Sequence, residues 1–364
     1  MTASIAVPRA PQKTRVALWD NARFVLIALV VIGHVISTVR TDTALGFGLY
    51  AYIYLFHMPA MIMLSGLFSR AETSPKAVRS TVQLLLTWLV WEALWAVIRF
   101  FAEGKLPGSG FLINPAWTLW FLVSLVTMRI LLPYLARMRH PLLVSIVLAL
   151  AGGLSPVIGT EFSAARTLVF LPFFVAGWLI RDRGWLDGAW FTRPSRRFRA
   201  AAWGVLVAIA LAFAAAPRLQ EVWRIDRWLT WRDDYFRVFE RAPIGDWHPE
   251  SWGAVAAGGI AVSAVLLCLA ALMTFAVLVV VPRGRGAATV WGSRTLYVYL
   301  LHGPIVYFLR SSGTIEVISD WGPLGLPTLI ILGLVITVIL STAPVARVFR
   351  PIIEPRTDWL FTRD

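Results

Sequence analysis

The sequence predicts an all-α integral membrane protein of about ten transmembrane helices, with both termini on the cytoplasmic side. Three observations carry that prediction. Of the 364 residues, 58% are hydrophobic and only 15% charged, and mean hydropathy is +0.70, far from the balance of a soluble domain. Apolar runs of about 18–25 residues recur, broken by Arg, Pro and Gly, as expected for segments that cross a hydrocarbon core of about 30 Å. Lys and Arg then alternate between the connecting segments. With the N-terminus inside, the inner segments hold twenty of them and the outer segments nine, six of those nine within residues 218–250, which is the inside-positive bias.

Residues 1–17 form a polar, basic tail with Arg9, Lys13 and Arg15; with no cleavage-like end to the run that follows, no signal peptide is expected. Span one (18–39) is carried by the stretch RVALWDNARFVLIALVVIGHVIST, which begins at Arg15 and ends at Thr38. Span two (45–68) contains YAYIYLFHMPAMIMLSGLF, and span three (78–101), with Lys76 and Arg79 at its inner mouth, contains TWLVWEALW. Span four covers 117–136. Spans five (141–159) and six (166–180) meet at a boundary blurred by Pro156 and Gly159. Span seven (200–217) follows the arginine-rich segment 181–199, and span eight (253–281) is the longest apolar run. Span nine (290–309) holds SRTLYVYLLHGPIVYFL, and span ten (322–343) precedes a cytoplasmic tail, 344–364. The membrane domain therefore runs over 18–343. No internal repeat is visible, unlike many secondary transporters. Residues 218–250 mix charges with Trp223, Trp228 and Trp231, which fits either a short helical cap over the outer face or an interfacial amphipathic segment.

The net charge of +14 raises nucleic acid as a partner, but the arginines lie between spans, so topology accounts for them and no nucleic-acid partner is expected. The single cysteine, Cys268, excludes a disulfide framework or a cysteine-based metal site. No P-loop, G-x-S-x-G or H-E-x-x-H motif occurs, which argues against a nucleotide-driven pump and serine-hydrolase chemistry.

Ionisable residues inside spans are costly and ordinarily face a bundle interior or a wet cavity. Asp20, Arg23 and His34 all lie in span one, with Arg23 and His34 on one stripe roughly 16 Å apart in depth. His57 falls near the middle of span two or slightly outside it, Glu92 past the midpoint of span three and His302 in the outer half of span nine, all at a depth similar to that of His34. Each has a plainer reading as an interhelical hydrogen-bonding or charge-neutralising group, and Arg99 and Arg166 read as snorkelling side chains. Arg129 lies deeper and needs a partner. Pro59 and Pro304, each two residues beyond a histidine, would free carbonyls and kink their helices. Three histidines could ligate zinc, but nothing beyond their number supports a metal, and none is expected. A histidine in a partly dry cavity can take a proton from a hydroxyl, and depth favours Glu92 over Asp20 as the carboxylate that orients it. Arg23 could hold an anionic donor group from the cytoplasmic side, with Lys76 and Arg79 extending a basic entrance.

The run W-D-N-A-R-F with Arg23 and His34 in an R-x(10)-H arrangement resembles the first helix of the membrane acyltransferase-3 family, closest to the branch described as fucose 4-O-acetylase-like. The resemblance continues through FHMPAMIMLSGLF at 56–68, LWFLVSL at 119–125, FLPFFVAGWLI at 170–180 and SRTLYVYLLH at 293–302. It implies a bacterial plasma-membrane O-acyltransferase that moves an acyl group, usually acetyl, from cytosolic acyl-CoA to a hydroxyl of a glycan or lipid-linked sugar at the outer face. It also implies His34 as the catalytic histidine and Arg23 as its motif partner, with Lys76 and Arg79 standing as K-x-x-R where the family has R-x-x-R. Acetyl-CoA would be a substrate, with no tightly bound cofactor. The appended esterase-like domain of many relatives is not expected here. Glu92 completes the expected catalytic set, and Asp20, His57, Lys76, Arg79 and His302 the expected substrate-binding set. The competing readings are a proton-coupled transporter using the same histidines and an assembly component of polysaccharide export.

Overall fold

A computed structural model describes residues 17–362; Arg9, Lys13 and Arg15 of the expected basic tail lie outside them. The described residues form an all-helical bundle with helices at each expected span: α1 (Ala17–Ile36), α2 (Ala44–Leu67), α3 (Pro75–Glu103), α4 (Trp120–Leu135), α5 (Pro141–Gly152), α6 (Ala164–Asp182), α7 (Arg196–Ala214), α8 (Trp252–Val280), α9 (Thr295–Ser311) and α10 (Gly325–Leu340). Among the described residues, seven helical segments are long and apolar enough to cross a membrane: α1, α2, α3, α7, α8, α6 with the turn before it (Glu161–Asp182) and α10 with the turn before it (Gly322–Leu340). Helices α4, α5 and α9 are shorter, at 16, 12 and 17 residues. At 1.5 Å per residue α5 reaches only about 18 Å, because its apolar run breaks at Gly152 and Gly153 well before residue 159. Side-chain caps set the helix starts where the chain turns: Thr43, Ser74, Ser195 and Ser251 each accept a hydrogen bond from a backbone N–H of the first turn, satisfying donors that the helix leaves open. Pro59 and Pro304 lie inside continuous helices.

Helix α1 is central, with Ala22, Leu26, Ile27, Val31, Val35 and Ile36 all sealed from solvent. It packs on α2, α9, α10 and a short helix at Ala287–Gly292. Helices α2 and α6 cross backbone to backbone. A Cβ on Gly177 would collide with the Met63 carbonyl, and one on Gly66 with that of Phe174, so small residues permit the approach.

Residues 218–250 fold as a cap containing helical turns at Ile225–Trp228 and Tyr235–Arg241. Trp228 and Trp231 are buried within it, so these two rings form the cap's own core rather than an interfacial anchor. Asp226 fixes the cap to the end of α1, accepting from Arg40 Nε at 2.9 Å and from Arg224 Nε and Nη2, each at 2.9 Å. Burial alone would push the Asp226 carboxyl up, but the two guanidiniums reverse this and hold it below the usual carboxylate range. The cap also receives Arg166 Nε of α6 on the Thr230 carbonyl (2.9 Å), and Tyr235 donates to the Leu150 carbonyl of α5 (2.9 Å). At the opposite end, Asn21 of α1 donates to the carbonyls of Pro282 (2.7 Å) and Gly284 (2.9 Å). The segment expected as a tail also packs there. Helix α11 (Ala343–Ile353) lies against α3 through Thr87 and Trp91, which donate to the Ile353 and Ile352 carbonyls, and Tyr297 of α9 donates to Glu354 at 2.9 Å.

Candidate active site

The structure brings two of the predicted residues into direct contact. His34 Nδ1 and His302 Nε2 are 2.8 Å apart, and the two ring planes differ by only 7°. The second nitrogen of His302, Nδ1, is 3.0 Å from the carbonyl of Val298, one turn earlier in α9. His302 is fully buried, whereas His34 keeps part of its surface exposed. The ring of Trp117 lies 5.1 Å from that of His34, and Tyr54 presents its edge at 6.4 Å.

Helix α9 also supplies Arg310 near its end. Its Nη2 donates to the His34 carbonyl and to Ser37 Oγ, and its guanidinium lies over Trp117, 4.2 Å from the ring centroid. Arg310 therefore pins the backbone of His34 while His302 engages its side chain. Sequence reasoning passed over Arg310, Trp117 and Tyr54. The one available signal was that Arg310 ends the same helix as His302.

Two cavities approach this pair from opposite ends. The first, about 240 Å³, is lined by Arg23, Ser65, Phe121, Ser293 and Tyr299 among others. The second, about 550 Å³, lies at the cap end and is lined by Glu92, Arg99, Glu103, Trp117, Tyr307 and Arg310 among others. Along α9 the lining passes from Tyr299 to Tyr307, with His302 between them. Arg23 is held by Asp20, with Nη1 to Oδ1 at 3.2 Å, and its guanidinium lies 4.3 Å from the Phe68 ring centroid.

The remaining expectations are redistributed. Glu92 does lie at the cap-end cavity, but its Oε1 accepts from Trp88 Nε1 (3.0 Å) and the Ala116 amide (2.7 Å). The partner of the His34 imidazole is a histidine, not this carboxylate. His57 Nδ1 lies 2.6 Å from the carbonyl of Ile53, and its ring packs against Tyr54. Among the described residues no three His, Cys, Asp or Glu side chains form a metal-binding group. Lys76 lines a separate groove of about 630 Å³ with Arg70, Arg129 and Arg181, and Arg129 Nη1 donates to Ser80 Oγ at 3.2 Å. Arg79 instead lies over the Phe361 ring at 5.0 Å, so the two cations of K-x-x-R take different surroundings. Arg166 does not snorkel: its guanidinium lies 4.7 Å from the Trp120 ring centroid and is tied to the cap.

Chemically, the pair offers a partly exposed imidazole edge between two cavities, each lined by a guanidinium group. That suits proton removal from a hydroxyl beside a group that develops negative charge.

Comparison with known proteins bears on what is transferred. Residues 16–345 match the model of a family described as an acyltransferase domain. The nodulation protein NolL of Mesorhizobium japonicum is 28% identical over 189 residues, which is 47% of this chain and 49% of that protein. The chain thus matches about half the length of that curated relative. No solved structure matches.

Proposed function

Because the chain belongs to the membrane acyltransferase-3 family, we propose that this multi-pass membrane protein is an O-acyltransferase of the bacterial plasma membrane, moving an acetyl group from cytosolic acetyl-CoA to a sugar hydroxyl of a glycan or lipid-linked acceptor at the outer face. The observation that carries the reading is the His34–His302 pair, set between an Arg23-lined cavity, whose Tyr299 lies beside His302, and a second cavity whose Trp117 and Arg310 touch His34. With ten spans and both termini inside, the Arg23 cavity faces the cytosolic donor and the cap-end cavity the outer acceptor.

In this mechanism His34 is the general base. The acceptor oxygen attacks the thioester carbon while its proton passes to His34, forming the C–O bond and an oxyanion. Collapse breaks the C–S bond, the electron pair leaves with the sulfur, and His34 returns the proton to the thiolate. Arg23, steadied by Asp20, draws the anionic donor towards the pair, and the groove around Lys76, Arg129 and Arg181 adds cationic surface at the same end. Arg310 supplies fixed positive charge near the developing oxyanion. Glu92, bound to the Ala116 amide, shapes the acceptor cavity.

Transfer of radiolabel from acetyl-CoA into membrane glycans tests the reading. Labelling should fall by about 10²- to 10⁴-fold in His34→Ala, the range for loss of a positioned acid–base group, and at least tenfold in Arg23→Ala. Unchanged labelling in a correctly inserted His34→Ala protein would refute the catalytic assignment. Solute uptake without acylated product would identify a transporter instead.

A further inference from the structure

We propose that His302 is a positioning residue that fixes the tautomer of His34, so that Nε2 of His34 is the basic atom. The inference rests on the reading of His34 as general base and assigns which nitrogen does the work and what holds it ready.

The derivation is a count of protons along one hydrogen-bonded line. A carbonyl oxygen can only accept, so the 3.0 Å contact between His302 Nδ1 and the Val298 carbonyl places the proton of a neutral His302 on Nδ1. Its Nε2 then carries a lone pair and can only accept. The atom 2.8 Å away is Nδ1 of His34, which must therefore donate. A neutral His34 with its proton on Nδ1 has its lone pair on Nε2. A second proton on His302 would reverse the line, but it would leave a charged ring fully buried, where no carboxylate among the described residues forms an ion pair with it, and burying a charge in that way is costly. The ring planes are parallel to within 7° and their centroids are 5.1 Å apart. Nitrogens 2.8 Å apart reach that separation only when the rings lie end to end, so the lone pair of one is in line with the N–H of the other, the geometry that the bond requires.

Exposure divides the roles. His302 is sealed, whereas His34 is partly exposed and lies against Trp117 and Arg310 of the cap-end cavity, and among the described residues no group hydrogen-bonds its Nε2. Only His34 can meet substrate. After His34 takes the acceptor proton on Nε2, its Nδ1–H still donates to His302, and the resulting imidazolium is steadied without any second proton transfer. His57 shows the same anchoring, with Nδ1 on the carbonyl of Ile53, but it is not in line with His34.

The substitutions that test this are His302→Gln, which retains an oxygen acceptor near the position of Nε2, and His302→Leu, which fills similar space with no acceptor. With radiolabelled acetyl-CoA and membrane glycans, His302→Leu should lower the rate at saturating donor by about 10- to 100-fold, typical for loss of a partner that orients a histidine, at an unchanged KM for acetyl-CoA. His302→Gln should recover to within about threefold of the parent protein. Equal losses in both variants, each folded by size-exclusion and thermal-melt criteria, would mean packing alone and overturn the proposal, as would full activity in His302→Leu.

A readout independent of acyl transfer accompanies this. In ¹⁵N-histidine-labelled protein reconstituted in bilayers, the His34 signals, identified by their loss in His34→Ala, should report an Nδ1–H tautomer that is lost in His302→Leu. An Nε2–H tautomer in the parent protein would overturn the proposal even where transfer activity is normal. An Nδ1–H tautomer with transfer intact in His34→Ala would sustain the hydrogen-bonded line and refute only the base assignment on which its catalytic meaning depends. Should His302→Leu not fold, the parent tautomer and the recovery in His302→Gln decide the matter.

Discussion

Replacing Asp226 with Ala should release the cap from α1, and the size of the effect can be worked out from the contacts. The carboxylate is essentially unexposed, with 1% of its side-chain surface accessible, while Arg40 and Arg224 retain 23% and 34%. It accepts three charge-assisted hydrogen bonds at 2.9 Å. Such bonds contribute about 1.5–3 kcal/mol each in favourable settings, and breaking a buried pair costs about 3–5 kcal/mol. Both arginines can regain water once the carboxylate is gone, so the lower end applies, about 3 kcal/mol for cap opening. At 1.36 kcal/mol per tenfold, amide hydrogen exchange within 225–241 should quicken by about a hundredfold. Exchange in the middle of α8, remote from the triad, should be unchanged. A cycle of Asp226→Ala, Arg40→Ala and the double substitution should give about 1–2 kcal/mol of coupling. Unaltered exchange in 225–241, or coupling near zero, would refute the view that this triad holds the cap.

The same assay reads pH. A carboxyl whose folded-state pKa is depressed contributes stability that is complete above its unfolded value, about 3.9, and that is lost as pH falls through the folded value. Asp226 is such a group. After correction for intrinsic exchange, its contribution to cap protection should be level from pH 5 to pH 8 and decline only under more acid conditions. A decline centred near pH 6.5 would instead implicate a histidine.

Three further outcomes follow from the site and its packing. Arg310→Leu should reduce glycan labelling at least tenfold, and Arg310→Lys should restore little, since a lysine offers neither the flat surface over Trp117 nor a fork reaching both the His34 carbonyl and Ser37; full rescue by Lys would reduce its role to charge. Lys76→Ala and Arg129→Ala should each raise the KM for acetyl-CoA about three- to tenfold, whereas Arg79→Ala, which loses only its contact with Phe361, should leave it within twofold. Gly177→Leu should prevent accumulation of folded protein in membranes, since the side chain would enter the Met63 backbone at the α2–α6 crossing; normal yield and melting would disprove that packing.

The helices were legible because hydrophobic length and the Arg and Lys bias are summed over many residues, so single exceptions cannot overturn them. The site was legible in composition and not in pairing. His57, Glu92 and His302 fall at similar depths, and depth does not say which face of a helix turns towards His34. The choice of His302 depends on how α9 is rotated against α1, over a separation of 268 residues. Glu92 was the chemically attractive orienter, but its carboxylate is taken by the amide of Ala116, and an irregular loop's backbone N–H leaves no trace in side-chain spacing. Arg166 reads as a snorkelling residue because its stem is long enough. Trp120 and the Thr230 carbonyl, from segments distant in sequence, draw it inward. Lys76 and Arg79 lie one turn apart yet separate, because Phe361 comes back from a segment read as a simple tail.

The way α1 is held bears on which chemistry such a polar layer can serve. Its first turn is latched by Asn21 to the carbonyls of Pro282 and Gly284, and Thr289 donates to Asn21 at 2.8 Å. Just beyond its last turn Arg40 reaches Asp226 in the cap, and Arg310 grips the His34 carbonyl and Ser37. A transporter that exposes one site alternately to two sides needs a helix or repeat that rocks. Rocking α1 would break both latches together, several charge-assisted or buried bonds at once. Proximity catalysis needs the reverse, a reactive atom kept within a fraction of an ångström while two substrates come to it. With α1 latched near its start and held at its end both by the cap and by α9 through His34, the helix is braced against rocking, which fits the proposed transferase better than alternating access.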